Sequence, residues 1–220
     1  MFKSLYNHLR QLPVSATGSN TTSVPVCTLL MIMISTLLSQ SPELFQLSYF
    51  DRELISEGQF WRLVSGHFSH TSLSHLGWDL LAFSLAAGYL ERHSRKLLFI
   101  SLAAAIVTVD ALLLSDWAMI TRYAGLSGIL FSPLIFSLVI FALKQPSATG
   151  WLPLAICLIK LIWEQFSQVT LFSQSPWPAY PAAHLAGTVG ALVCLAILIS
   201  FPRLLSGGKF TKQIVTIDKS

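Results

Sequence analysis

Long apolar stretches alternate with short polar ones along most of this chain. Six stretches reach, or nearly reach, the roughly 20 residues that a helix needs to cross the core of a bilayer. The pattern predicts membrane-spanning helices at about 24–46, 70–91, 96–115, 124–143, 151–167 and 182–202. The fifth stretch is interrupted by two charges, Lys160 and Glu164. The expected fold is therefore an all-α, polytopic membrane protein with a bundle of six transmembrane helices.

Composition supports this fold class and narrows the partners. The chain is 53% hydrophobic and 11% charged, whereas a soluble domain carries about 25% charged residues. Its net charge of +4 comes without a basic cluster interleaved with aromatic residues, so a nucleic-acid partner is not expected. Cys27, Cys157 and Cys194 form no C-x-x-C pair and are expected to be buried free thiols.

The chain divides into three parts on the same grounds. We expect an N-terminal cytoplasmic segment at 1–23, a six-helix unit at 24–202 and a basic cytoplasmic tail at 203–220. The connection at about 47–69 is much longer than the others, and a long loop in a compact membrane protein is often functional.

The distribution of Lys and Arg predicts the orientation. With the N-terminus inside, ten of these residues lie on the cytoplasmic side and three on the outer side. Both termini are then cytoplasmic, and the second, fourth and sixth segments begin at the outer surface. Their first turns hold His70 and His75, Ser127, and His184. Residues of the types used in nucleophilic catalysis therefore share one depth.

Ser127 lies in a turn between two glycines, Gly125 and Gly128. Glycine lets the backbone turn tightly and approach a neighbour closely. The N–H groups at the start of a helix are unpaired, so the serine hydroxyl would lie beside donors of the kind that an oxyanion hole needs. Small residues at this position would serve helix packing equally well.

His184 borders a face of small residues in the sixth segment. Ala183, Gly187 and Ala191 repeat every four residues, which allows close packing against a neighbouring helix. If that neighbour is the fourth segment, His184 can reach Ser127 and act as its general base. A histidine bonded to a loop carbonyl is the structural alternative.

The second and fifth segments carry two further pairs at helical spacing. His75 and Asp79 lie on one helix face, where they could support an oxyanion or hold the helix against the first loop. With His70 they could also ligate a metal, but no H-E-x-x-H spacing or fourth ligand is present, so no metal or cofactor is expected. Lys160 and Glu164 are expected to neutralise each other or to snorkel, with a proton relay as the alternative.

These motifs together resemble the rhomboid intramembrane serine proteases. The resemblance rests on "FWRLVSGHFSHTSLSHLGWDLLAF", "YLERHSRK", "GLSG" and "AHLAG", in this order, over nearly all six helices. It implies that Ser127 is the nucleophile and His184 the base, in a dyad with no acidic third member. It also implies an oxyanion hole made by the N–H groups of Ser127 and Leu126 with the His75 side chain.

The resemblance assigns further residues to the surroundings of this dyad. Phe131 matches a position where the family usually places an aromatic ring against the histidine, and His70 would line the same cavity. Trp61 and Arg62 would anchor the loop that dips into the outer leaflet. Where the family usually has Asn, this chain has Asp79. An ionised carboxylate would repel an oxyanion, so Asp79 would help only if protonated or by orienting His75.

The helix-two Asp, "YAGLSG" and "AHLAG" further resemble the rhombosortase branch. This branch implies a bacterial inner-membrane enzyme, open to the periplasm, that cleaves membrane-tethered proteins bearing a C-terminal Gly-Gly-type anchor. The expected partners are thus transmembrane or C-terminally anchored protein substrates and the lipid bilayer. The alternatives are a rhomboid-like protein that binds client helices without catalysis, and a small transporter or channel. The presence of both serine and histidine favours the protease.

Overall fold

The computed structural model describes residues 24–171 and 175–200, so the predicted segments 1–23 and 203–220 lie outside the described residues. Within the described ranges the chain forms nine α-helices, a short 3-10 turn and two short strands. In chain order the helices are α1 (Val26–Gln40), α2 (Pro42–Ser48), α3 (Arg52–Ser56), α4 (Arg62–Ser65), α5 (Leu73–His93), α6 (Arg95–Leu114), α7 (Ser127–Lys144), α8 (Ala148–Ser167) and α9 (Ala182–Ser200). The 3-10 turn is Gly66–Phe68, and the strands are β1 (Phe50–Asp51) and β2 (Arg122–Tyr123).

Six long helices, α1 and α5 to α9, lie where the apolar pattern predicted them, but fewer have the length and hydropathy of a span. Among the described residues, α6 and α7 meet both requirements alone, and α1 with α2 meets them only as a pair bent by 111°. Two or three membrane spans are therefore supported by length and composition, not six. Helices α5 and α8, which carry the acidic residues Asp79 and Glu164, do not meet these requirements.

The outer surface of the bundle is strongly apolar. Leu85 on α5 and Phe166 on α8 are 68% and 85% exposed, and α8 also exposes Ile159. Such contiguous apolar surface marks contact with lipid or protein rather than with water. The opposite face of α8 buries Cys157, Leu161 and Glu164.

Helix α7 is the centre of the bundle and packs against α5, α6, α8 and α9. Its Ile129, Phe136 and Ile140 side chains are completely buried. A helix that is apolar on all sides is stable only when neighbours or lipid surround it. The sequence of α7 therefore fits its central position, with Ser127 as its first residue.

The small-residue face of α9 packs against α7 and α6, as the spacing of Ala183, Gly187 and Ala191 predicted. A Cβ atom at Gly187 would lie only 1.9 Å from the carbonyl oxygen of Gly128. The two backbones thus meet without an intervening side chain, and α9 is held against the first turn of α7.

The long first connection is joined to the segment before α7 by a two-residue antiparallel ladder. Phe50 pairs with Tyr123, and Asp51 pairs with Arg122. The Arg122 Nε atom donates to Asp51 Oδ2 at 3.0 Å. This ladder fixes the approach of the chain to Ser127.

The contact at Gly187 leads to a stability prediction. Gly187→Ala is expected to lower the free energy of unfolding by about 1–3 kcal/mol, because the new methyl group overlaps the Gly128 carbonyl. Gly77→Ala on α5 is the matched control, since a Cβ there meets no atom within 4 Å. Thermal unfolding in detergent should show a lower melting temperature for Gly187→Ala only. Equal melting temperatures would contradict the close approach.

Candidate active site

The backbone before Ser127 is shaped by Gly125. Its φ of +147° lies where side chains are strained, and a Cβ there would be 2.7 Å from Cε1 of His75. Only glycine lets the chain pass this close to the imidazole of His75 and then enter α7 at Ser127. The predicted glycine turn therefore brings α7 and α5 together.

Three consecutive N–H groups at the start of α7 donate to side chains. Leu126 N–H donates to Nε2 of His70 at 3.3 Å, and Ser127 N–H donates to Oδ2 of Asp79 at 2.9 Å. Gly128 N–H donates to the phenolic oxygen of Tyr123 at 3.2 Å. The groups predicted to form an oxyanion hole thus already hold side-chain acceptors in this structure.

Asp79 connects two histidines to the backbone of Ser127: His75, which lies on α5, and His70, which lies in the loop before it. Its Oδ2 atom lies 3.0 Å from Nε2 of His70 and 3.4 Å from Nε2 of His75. The residue is 6% exposed. One carboxylate oxygen therefore positions His70, His75 and the N-terminus of α7 together.

Distance alone would allow this cluster to hold a cation, because ligand atoms of His70, His75 and Asp79 lie within 4.8 Å of one another. Oδ2 of Asp79 already contacts both Nε2 atoms, however, and the described residues offer three ligands there. A structural zinc site usually has four protein ligands. The expected absence of a metal stays a prediction.

His184 lies in the first turn of α9 and is 5% exposed. The ring of Phe131 stacks on it with centroids 4.7 Å apart and planes 28° apart. On its other side, Nδ1 of His184 lies 2.8 Å from Oε2 of Glu164. The imidazole is therefore oriented by one aromatic and one acidic side chain.

Glu164 is a site residue that the sequence analysis missed. The predicted pair with Lys160 forms at 2.7 Å through Oε1, but Oε2 of the same carboxylate contacts His184. The resemblance implied a dyad without an acidic member, whereas in this structure an acidic side chain contacts His184. A charged pair inside an apolar helix was the available signal, since ionisable residues at membrane depth are generally functional. Which side chain it met could not be obtained from spacing.

Tyr123 was also missed. It is buried, and its phenolic oxygen accepts from Gly128 N–H. Burial raises the pKa of Tyr123 above its ordinary value, so the phenol stays neutral. It lies beside the serine as a fixed hydroxyl group.

Ser127 and His184 line two cavities in common, together with Thr170. The smaller cavity, of about 50 Å³, lies on the loop side and is also lined by polar residues such as His75 and Tyr123. The larger, of about 220 Å³, is mostly apolar; Trp78, Ala82, Leu130, Phe131, Leu134 and Leu171 are among its lining residues. A nucleophile and a base therefore share one polar and one apolar space.

Trp61 and Arg62 lie away from these cavities and hold the first connection in place. The buried guanidinium of Arg62 donates to the carbonyls of Tyr49 and Gln46 at 2.7 and 3.0 Å. Trp61 donates its indole N–H to the Leu47 carbonyl at 2.9 Å. Both residues tie α4 to the end of α2.

Most of the chain matches a known protein family. A family model described as Rhomboid domain covers residues 57–201, well over half of the chain. The chain belongs to the rhomboid family. Rhomboids are generally intramembrane serine proteases, and this one is accordingly an integral membrane protein. The matched range includes Ser127, His184, His70, His75 and Asp79. A comparison with curated proteins gave no match.

The position of Gly125 in this rhomboid can be tested without an activity. Gly125→Ala is expected to displace His75, because its methyl group would overlap the imidazole. Gly58→Ala is the control: its φ of +101° carries a similar backbone cost, but no atom lies within 4 Å. In ¹⁵N-histidine NMR spectra, the His75 signals should shift in Gly125→Ala and stay in place in Gly58→Ala. Unshifted His75 signals in both variants would contradict the contact.

Proposed function

We propose that this rhomboid is an active serine endopeptidase that cleaves the anchors of membrane-tethered proteins near the outer face of the membrane. Ser127 is the nucleophile and His184 the general base. The observation that carries the proposal is that these two residues, from α7 and α9, line the same two cavities. A client-binding protein without catalysis would need neither residue in this arrangement.

The reaction follows from these roles. Ser127 Oγ attacks the carbonyl carbon of the scissile bond while His184 takes the hydroxyl proton. The tetrahedral intermediate collapses to an acyl-serine ester as His184 gives this proton to the leaving amine. Water then attacks the ester and loses a proton to His184, and His184 returns this proton to Ser127 Oγ as the acid is released.

The developing oxyanion needs donors, and the α7 N-terminus with His75 is the best source. The Ser127 and Leu126 N–H groups are bound to Asp79 and His70 at rest, so the oxyanion would replace these acceptors. Among the described residues, Nδ1 of His75 is buried without a hydrogen-bond partner. His75 is proposed to donate to the oxyanion from Nδ1, while Asp79 lies beside Nε2. Asp79 is thus proposed to position His75 rather than to donate.

The two cavities suit the two needs of hydrolysis at membrane depth. The apolar cavity between α5, α7 and α8 would accept a side chain of the substrate anchor. The polar cavity under the loops would admit water to the acyl-serine. Backbone and polar groups are tolerated at this depth because protein rather than lipid surrounds them.

The finer assignments are also proposals. The Lys and Arg bias supports cytoplasmic termini and a site that opens outward, in a bacterial inner membrane to the periplasm. Asp79, "YAGLSG" and "AHLAG" support the rhombosortase branch. Substrates with a C-terminal Gly-Gly-type anchor are then the class to test first.

An activated serine is tested with a fluorophosphonate probe on the purified protein in detergent. Wild type should form a covalent adduct that peptide mapping places on Ser127, and His184→Ala should lower its rate by at least about 10³-fold. Ser132→Ala is the control serine, buried on the same helix without a hydrogen-bond partner among the described residues. It should label like wild type, and Ser127→Ala should not label. Folded wild type that does not react, or Ser127→Ala that still does, would contradict the proposal.

The role of Asp79 is tested with two substitutions. Asp79→Ala removes the acceptor of Ser127 N–H and the oxygen beside Nε2 of His70 and of His75, and the labelling rate should fall at least about tenfold. Asp79→Asn keeps an acceptor oxygen and removes the charge beside the oxyanion, so it should label at least as fast as wild type. An Asn variant as slow as the Ala variant would show that the charge itself is required.

A further inference from the structure

We propose that Glu164 is a positioning residue for His184, so that this rhomboid works with a Ser127–His184–Glu164 triad rather than a dyad. The inference rests on the proposed function and deepens it. It concerns the state of the imidazole before the serine is attacked, and it follows from a contact between α8 and α9.

The contact has the geometry of a charge-assisted hydrogen bond. Nδ1 of His184 and Oε2 of Glu164 are 2.8 Å apart, and the side chains are 6% and 0% exposed. An ionised carboxylate only accepts hydrogen bonds, so Nδ1 carries the proton. In the neutral ring Nε2 is then the free acceptor, as a general base for Ser127 requires.

Glu164 is itself held by two donors on its other oxygen. Nζ of Lys160 lies 2.7 Å from Oε1, and the N–H of Leu171 lies 2.9 Å from the same atom. A buried carboxylate is costly unless a cation and hydrogen bonds satisfy it, and both are present. The ionised form is therefore supported, and Oε2 is left to His184.

The rest of the ring is fixed from a second direction. Phe131 stacks on the imidazole, and Nζ of Lys160 lies 5.1 Å from the centre of the Phe131 ring. Lys160 thus touches both groups that orient His184. When His184 takes the serine proton, the Glu164 carboxylate stabilises the imidazolium until the ring gives that proton to the leaving amine.

A purely structural link between α8 and α9 is the competing explanation. Gln165, the next residue, provides the matched control, because its side chain donates to the Pro181 carbonyl at 2.8 Å and so also joins α8 to the start of α9. If Glu164 only joins helices, Gln165→Ala should resemble Glu164→Gln in every measurement.

The test measures fluorophosphonate labelling of Ser127 against pH in wild type, Glu164→Gln, Lys160→Met and Gln165→Ala, with the melting temperature of each. Glu164→Gln should label at least about tenfold more slowly. Its acidic limb should move to lower pH, because the imidazolium loses its carboxylate partner. Lys160→Met should fall between Glu164→Gln and wild type, and Gln165→Ala should match wild type in rate and profile. The other ionisable side chains that line the two cavities, unchanged in this comparison, are His75, Asp79, Arg122, Tyr123 and Tyr180.

A second measurement needs no variant to fold. In ¹⁵N-histidine spectra of wild type at neutral pH, His184 should be the tautomer protonated on Nδ1. The opposite tautomer, or a pH profile of Glu164→Gln equal to that of wild type, would overturn the positioning role of Glu164. If wild type still labels in that case, the proposed protease function stands. Wild type that is folded and does not label would overturn both.

Discussion

The contact between Gly128 and Gly187 is the constraint on which the rest of this structure depends. It brings the backbone of α9 onto the carbonyl of Gly128, and Ser127 and His184 lie within one turn of it on the two helices. A side chain at Gly187 would push the helices apart and separate the serine from the histidine. Helix packing and catalysis therefore both require small residues at these positions. For this reason, packing alone could explain the glycines around Ser127 in the sequence.

Buried charge is the second feature that organises the bundle. Glu91 accepts the N–H groups of Cys27 and Thr28 and so fastens the start of α1 to α5. Asp79 and Glu164 use the same principle, but their partners are His75 and His184 rather than a helix end alone. Carboxylates at membrane depth are costly and need several partners. Of these three carboxylates, Asp79 and Glu164 have partners that lie at the candidate site.

Helix positions, the small-residue face of α9 and the pairing of His75 with Asp79 were predictable because each depends on spacing within one segment. The contact of Glu164 with His184 was not, since it depends on how α8 is rotated about its axis. The occupation of the Leu126 and Ser127 N–H groups depends likewise on side chains from another helix. The six predicted spans are supported only in part, because two or three of the described helices have both the length and the hydropathy of a span.

The most direct test of the account is hydrolysis of a membrane anchor in water enriched in ¹⁸O. The protein is reconstituted in liposomes with a reporter domain fused to one apolar helix, with or without a Gly-Gly sequence before it. Wild type should cut the fusion near the outer end of the helix and leave one ¹⁸O atom in the new carboxyl group, and Ser127→Ala should leave the fusion intact. Cleavage that persists in Ser127→Ala, or folded wild type that cuts neither fusion, would contradict the central claim that this rhomboid is a serine protease acting through Ser127.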